Sequence, residues 1–376
     1  MNANERESPH TFETQVKSPR GNSRIVVGNG ALARLGELAA TAVKGRRVCV
    51  VTDANVGNLH LEPALDSLCA AGFAAESVAL PAGEKTKSVE WLVTLWNTFN
   101  GYGLTRSDLV VALGGGVVGD LAGFASATYL RGCAIVQVPT SLLAQVDSSV
   151  GGKTGIDLPF GKNLAGAFHQ PAVVVVDPLV LKTLPPTRFA EGMAEVVKYG
   201  CIADAGLFAD LEAFAGNPGD AEALRAIIQR CVQIKADVVN RDELDTGERM
   251  LLNFGHTVGH AIEKVMGYGY ISHGEAVAIG MTAAARLGES LGATPAGTAA
   301  RIEALLKRFA LPTTTAFTAA DIFEAMLADK KKLGKQIHFI LLEEIGRAVR
   351  RPFDPDALRQ ALDGVLAGMT GDGTEV

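Results

Sequence analysis

The sequence predicts an α/β half followed by a mainly α-helical half, and three observations predict it. Between residues 23 and 177 short β-branched runs alternate with helical patterns; after Pro185-Pro186 long amphipathic stretches follow with few strands between them. Runs such as Val173-Val174-Val175-Val176 are apolar throughout, as a sheet covered on both faces requires. A length of 376 residues fits two domains on a prior of roughly 150 residues each.

In order, residues 24–27, 47–52, 76–80, 108–113, 134–138 and 172–176 read as strands. Helical periodicity then marks residues 188–202, 220–240, 249–266, 273–291 and 299–309. Residues 336–342 and 347–350 read as a strand pair turning at Gly346. The boundary falls near residues 178–187, giving an α/β domain at 23–182 and a helical domain at 183–370. Residues 1–22 and the last few from Thr370 read as disordered tails.

Asp plus Glu number 41 against 35 Lys plus Arg, a net charge of −6 that argues against nucleic acid or an anionic membrane as the main partner. Any anion must then be drawn by a local cluster. The five cysteines are odd in number and spread without a Cys-x-x-Cys pair, so neither a disulfide framework nor a cysteine zinc site is expected. Glu5, Glu7, Glu13, Lys17 and Arg20 fill the start without an apolar stretch, which excludes a signal peptide. No apolar run reaches the roughly 18 residues of a spanning helix. The expected compartment is the cytoplasm.

Three segments carry chemistry. The strand at 108–113 runs into Gly114-Gly115-Gly116-Val117-Val118-Gly119-Asp120 and a helix, where glycines admit a phosphate close to free N–H donors. The ribose acid expected about twenty residues later is absent, and Asp53, at the end of the second strand, is the candidate instead. Gly151-Gly152-Lys153-Thr154 fails as a Walker A motif because Asp147 stands where its first glycine should. Lys153, among Ser148, Ser149 and Lys162-Asn163, reads as a point charge in a phosphate-binding loop. In Asn253-Phe254-Gly255-His256-Thr257-Val258-Gly259-His260 two imidazoles lie one turn apart, and His273-Gly274-Glu275 opens the next helix. Thr257 occupies the position where a zincin needs glutamate, which disfavours a metalloprotease. Glu195 and Lys198 lie three apart on an apolar helix, a spacing usual for surface ion pairs. Arg131, Lys153, Lys162, Lys198, Lys235, Arg249 and the run Lys330-Lys331-Lys332 suit a small polyanion such as a phosphorylated acid.

Together, the strings from Gly114 to Phe124, Tyr129 to Gly132, Gln137 to Gly155 and Leu252 to Glu263 resemble the 3-dehydroquinate synthase family of sugar phosphate cyclases, in the family's order from about residue 23 to 350. The resemblance implies an N-terminal dinucleotide-binding, Rossmann-like α/β domain, a mainly α-helical C-terminal domain and a homodimer. It implies NAD at Asp53, Asn55, Glu84, Lys87, Gly115, Gly116, Val117, Asp120, Thr140 and Ser141, with Ser141 keeping the hydroxyl of a threonine common in relatives. It implies a divalent metal, zinc or cobalt, on Glu195, His256 and His273. Spacing alone pairs His256 with His260; the resemblance turns His260 toward substrate.

Substrate groups carry over as Asp147, Lys153, Asn163, Lys198, Lys235, Arg249, Asn253 and His260, with Lys162 beside them. The resemblance also implies that Arg131 reaches the neighbouring subunit's phosphate and that Lys331, of the pair Lys330-Lys331, meets the substrate carboxylate. The implied reaction converts 3-deoxy-D-arabino-heptulosonate 7-phosphate, a phosphorylated sugar acid, into 3-dehydroquinate and phosphate. The alternatives are a related cyclase such as aminodehydroquinate synthase, a metal-dependent polyol or alcohol dehydrogenase, and a non-catalytic NAD-binding module.

Overall fold

A computed structural model describes residues 11–267, 270–330 and 336–369. The chain divides into two compact units, one running to Pro185 and adding Pro218–Glu243, the other formed by Pro186–Asn217 and the chain from Leu244.

The first unit contains β1 (Phe12–Ser18), β2 (Gly21–Val27), α1 (Leu35–Ala40), β3 (Arg47–Asp53), α2 (Ala54–Ala70), β4 (Ala74–Leu80), α3 (Val89–Gly101), β5 (Leu109–Gly114), α4 (Gly116–Thr128), β6 (Ala134–Pro139), β7 (Lys153–Leu158), β8 (Gly161–Phe168) and β9 (Val173–Val176). Its seven-stranded sheet has the order β1-β2-β9-β6-β5-β3-β4 and is parallel apart from the β1–β2 hairpin. Both faces are covered. Val48, Val50, Leu109 and Val111 point to one core with Leu35, Leu38 and Leu68, while Cys49, Val51, Val110 and Ala112 point to the other with Leu95, Phe99 and Leu121. That alternation between two buried faces is why the strands read as unbroken apolar runs.

All six expected strands form, but two hairpins depart from expectation. Residues 12–18 form a strand rather than part of a disordered tail. Only Val16 on it is fully buried, so an edge strand with one apolar anchor looks, in sequence, like solvated chain. Residues 153–168, where no strand is expected, form the antiparallel hairpin β7–β8. Gly155 opposite Gly166 lets the backbones meet where a Cβ on Gly166 would lie 2.1 Å from Thr154 O.

The second unit begins with α5 (Pro186–Ala203) and α6 (Ala205–Ala213); α7 (Ala221–Arg241) then belongs to the first unit. This corrects the expected single boundary after residue 182. Asn240 of α7 closes the open edge of β1, its Oδ1 accepting from Lys17 N at 2.7 Å and its Nδ2 donating to Gln15 O at 3.2 Å. Glu222 at the other end accepts from Asn29 Nδ2 at 2.8 Å.

The second unit continues with α8 (His256–Met266), α9 (His273–Ser290), α10 (Thr298–Arg308), α11 (Ala319–Lys330), β10 (Ile337–Glu344), β11 (Arg347–Phe353) and α12 (Pro355–Ala367). The expected helix over 249–266 is divided: a 3-10 turn covers Glu248–Asn253, and Gly255 at φ +80° stands as N-cap of α8. α9 is buried on nearly every side, packed by α5, α8, α10 and α12. Among the described residues no helix is long and apolar enough to cross a membrane.

Candidate active site

The glycine turn lies where the strand order reverses. From β3 the chain steps to β4 on one side, and from β5 to β6 and β9 on the other. Ligands of open α/β sheets bind at the carboxyl ends of strands at such a switch point. Those ends are Asp53 and Gly114, set side by side by the pairing of Thr52 with Leu113. Gly115 is the N-cap of α4 and supplies no side-chain cap, so the helix start presents N–H donors to an anion.

A Cβ on Gly115 would lie 3.5 Å from Ser141 Oγ, and one on Gly116 3.2 Å from Ser148 Oγ. Bare backbone keeps this floor open, a cradle that fits the diphosphate of a dinucleotide. Thr140 N donates to Gly114 O at 3.0 Å, which brings Ser141 beside the turn. Asp53 Oδ1 accepts from Asn55 N and Val56 N, capping α2, with Asn55 exposed. Val117 is half-buried in the first turn of α4. Ser148 was not expected as part of the floor; no spacing rule relates it to Gly116.

Asp120, one turn into α4, accepts from Lys87 Nζ at 2.8 Å, and Glu84 Oε1 lies 3.8 Å from the same ammonium. Lys87 is 4% exposed. Burial works against its charge, but Asp120 and Glu84 outweigh burial and hold its pKa above the usual lysine range. Lys87 also donates to Asn163 Oδ1 on the β7–β8 hairpin, joining two residues expected on different ligands. Lys153 opens β7 on the exposed surface, and Lys162 lies half-buried near the start of β8. Asp147 sits in a π-helical turn, Ala144–Ser148, and pairs with the buried Lys235 of α7 at 2.9 Å. Arg131 ends the turn after α4, exposed and at φ +66°.

In the second unit, Glu195 on α5, His256 on α8 and His273 on α9 come together. Glu195 Oε1 lies 3.4 Å from His256 Nε2 and 3.5 Å from His273 Nε2. Donors about 2.0–2.1 Å from a tetrahedral ion stand roughly 3.3 Å apart, so the set fits zinc or cobalt. Each ring is aimed from behind. His256 Nδ1 lies 3.1 Å from Phe254 O, a carbonyl that can only accept, so Nδ1 carries the proton and Nε2 the lone pair. His273 Nδ1 lies 3.3 Å from the buried Glu263 carboxylate. Burial and the neighbouring Lys198 ammonium push His256 down to about 3, keeping it neutral as a ligand must be. Without a cation, hydrogen bonds to Glu195 and Glu263 outweigh burial and raise His273 to about 10; a cation on Nε2 would displace that proton.

Glycines bring the three helices close enough. A Cβ on Gly274 would lie 2.4 Å from Glu191 O of α5, and one on Gly280 1.9 Å from Gly255 O beside His256. Ser272 and Glu275 form a capping box that fixes where α9 starts, and hence His273.

The His256–His260 pairing expected from spacing is not among the donor sets of the described residues. His260 joins only a set with Glu263 and His273, and its ring meets that of His256 edge-on at 5.3 Å. Glu195 and Lys198 are 1% and 2% exposed, so their ion pair is not the surface pair that spacing suggests. Arg249 is buried and Asn253 half-buried in the 3-10 turn ahead of α8, with His260 exposed on α8. Lys331 lies outside the described residues.

Comparison with known proteins supplies the family. Residues 77–191 match the model of the 3-dehydroquinate synthase N-terminal region and residues 192–332 that of the C-terminal region. A 3-dehydroquinate synthase of Geobacter metallireducens is 50% identical, over 87% of this chain and 90% of the relative. One of Nostoc punctiforme is 44% identical over 93% and 98%. Among solved structures, ValA, a 2-epi-5-epi-valiolone synthase of Streptomyces hygroscopicus with NAD+ and Zn2+ bound, is 27% identical, with a TM-score of 0.83 over 92% of this chain and 96% of that one. An iron-containing alcohol dehydrogenase shares the fold at a TM-score of 0.66 and 15% identity. Family models that adjoin at residues 191 and 192, and half of all positions shared with a relative along most of both chains, mean that this chain belongs to the 3-dehydroquinate synthase family.

Proposed function

We propose that this chain is a phosphate-eliminating carbon–oxygen lyase, a 3-dehydroquinate synthase. It converts 3-deoxy-D-arabino-heptulosonate 7-phosphate into 3-dehydroquinate and phosphate by transient oxidation at C5, β-elimination, re-reduction and intramolecular aldol closure. The observation that carries this reading is the cluster of buried Glu195 with half-buried His256 and His273 in a chain half identical to a named 3-dehydroquinate synthase. When bound, NAD supplies a hydride acceptor that ends each turnover as it began, and the divalent cation supplies Lewis acidity toward the substrate hydroxyl.

In this reading Glu195, His256 and His273 hold the cation, and the Gly115-Gly116 turn, Val117, Asp53, Asn55, Glu84, Lys87, Asp120, Thr140 and Ser141 hold the dinucleotide. Lys153, Lys162 and Asn163 grip the departing phosphate, with Arg131 arriving from the second subunit of a homodimer. One of the phosphate's own oxygens takes the proton at C6 as the C–O bond breaks. Lys198, Lys235, Arg249, Asn253, His260 and Asp147 fix the sugar acid, and Lys331 meets its carboxylate. Five free thiols suit a cytoplasmic enzyme.

The test is phosphate release from the heptulosonate phosphate, with NAD and metal varied. Chelation should abolish turnover, and zinc or cobalt should restore it. Net accumulation of NADH would point to the dehydrogenase reading, and a product other than 3-dehydroquinate to a different cyclase. His260→Ala should keep stoichiometric zinc while turnover falls; loss of the metal by atomic absorption would make His260 a ligand.

A further inference from the structure

The structure assigns a positioning role to Asp157, a residue that no motif singles out. It stands on β7 where the hairpin register shifts between Ile156 and Leu158. With its ladder interrupted there, the Asp157 N–H is released from the hairpin pairing. Its N–H donates to Lys87 O at 2.9 Å, binding the hairpin to the turn that carries Glu84 and Lys87. Its Oδ1 accepts from Asn163 N at 2.8 Å and lies 3.9 Å from Lys87 Nζ. Lys87 in turn donates to Asn163 Oδ1 and to Asp120 Oδ2 on α4.

The result is a closed ring of Asp157, Asn163 and Lys87 with a branch to the glycine-turn helix. Asn163 is held at φ +56°, a left-handed backbone that asparagine tolerates better than most residues but does not prefer. A carboxylate accepting its N–H pins that conformation, and the same conformation sends its amide oxygen to the Lys87 ammonium. Lys87 and Asp120 belong to the dinucleotide side of the proposed site and Asn163 to its phosphate side. Asp157 therefore couples the two: it sets the Asn163 amide and the Lys87 ammonium in one arrangement. This inference rests on the proposed function, because it takes NAD and the heptulosonate phosphate as the ligands.

The experiment compares Asp157→Ala and Asp157→Asn with the parent enzyme. NAD affinity is measured by titration, and KM and kcat by phosphate release. Asparagine keeps an oxygen to accept from Asn163 N; alanine does not. For Asp157→Ala, KM for the phosphorylated substrate should rise about tenfold and NAD affinity should weaken, with thermal unfolding unchanged. Asp157→Asn should recover most of both losses. Parent-like KM and NAD affinity in Asp157→Ala would overturn the role. So would equal impairment of both variants together with a lowered unfolding midpoint, which would make Asp157 a residue of the fold alone. A parent protein that binds no NAD and releases no phosphate would instead overturn the proposed function.

Discussion

Replacing Glu195 by glutamine is expected to leave the purified protein without stoichiometric zinc or cobalt. Metal-dependent phosphate release should fall by more than the about 10–100-fold that the loss of an outer-sphere partner costs. Glutamine has nearly the same shape, so the packing of α5 is kept and only the charge changes. That charge does two things. It supplies the oxygen of the three-donor set, and it balances the buried Lys198 ammonium and the His273 imidazole that share its carboxylate. Breaking a buried ion pair by removing one partner costs about 3–5 kcal/mol, so the variant should also unfold at a lower temperature than the metal-free parent. Atomic absorption on dialysed protein and a thermal melt read the two effects separately. Full zinc occupancy in Glu195→Gln would remove Glu195 from the donor set and leave His260, Glu263 and His273 as the remaining candidate set of described residues.

The sheet was legible because its chemistry repeats locally. Val173 to Val176, Val48 to Val51 and Leu109 to Leu113 each bury both faces, and a continuous apolar run says so without any partner in view. β1 was not legible, since Val16 alone marks its inner face and the order along its edge comes from Asn240, more than 200 positions away. The placement of α7 was hidden for a related reason: amphipathic periodicity shows that a helix has a buried face but not which core it joins. At the site, Glu195, His256 and His273 were reached through resemblance, whereas spacing alone favoured His260. Spacing reports neighbours on one helix, and this cluster is assembled from three. The place of Ser148 under Gly116 and the roles of Asp157 and Glu263 are not legible in sequence, because each acts on a residue distant in sequence or of another motif, a relation that geometry supplies and one-dimensional patterns do not.

The glycines show how that assembly constrains the fold, and they carry the second large effect. Gly280→Ala is expected to destabilise the protein by about 3 kcal/mol, the upper part of the range for overpacking, because the new methyl would sit 1.9 Å from Gly255 O and 2.9 Å from Gly259 N. Both are backbone atoms, so no side chain can rotate away and α8 must separate from α9. The displaced peptide is the one directly before His256, and the helix that must yield on the other side carries His273. Zinc affinity should therefore fall together with stability, although position 280 touches no ligand. Gly364 on α12 provides the contrast: it is exposed in a helix interior, and an added Cβ meets nothing within 4 Å. Gly364→Ala should stabilise by up to about 1 kcal/mol from helix propensity and leave zinc binding alone. Chemical denaturation and a competitive zinc titration on both variants decide the matter. If Gly280→Ala keeps parental zinc affinity, the helix spacing is softer than the close approach of these backbones demands, and the donor geometry is held by the Nδ1 hydrogen bonds of His256 and His273 instead.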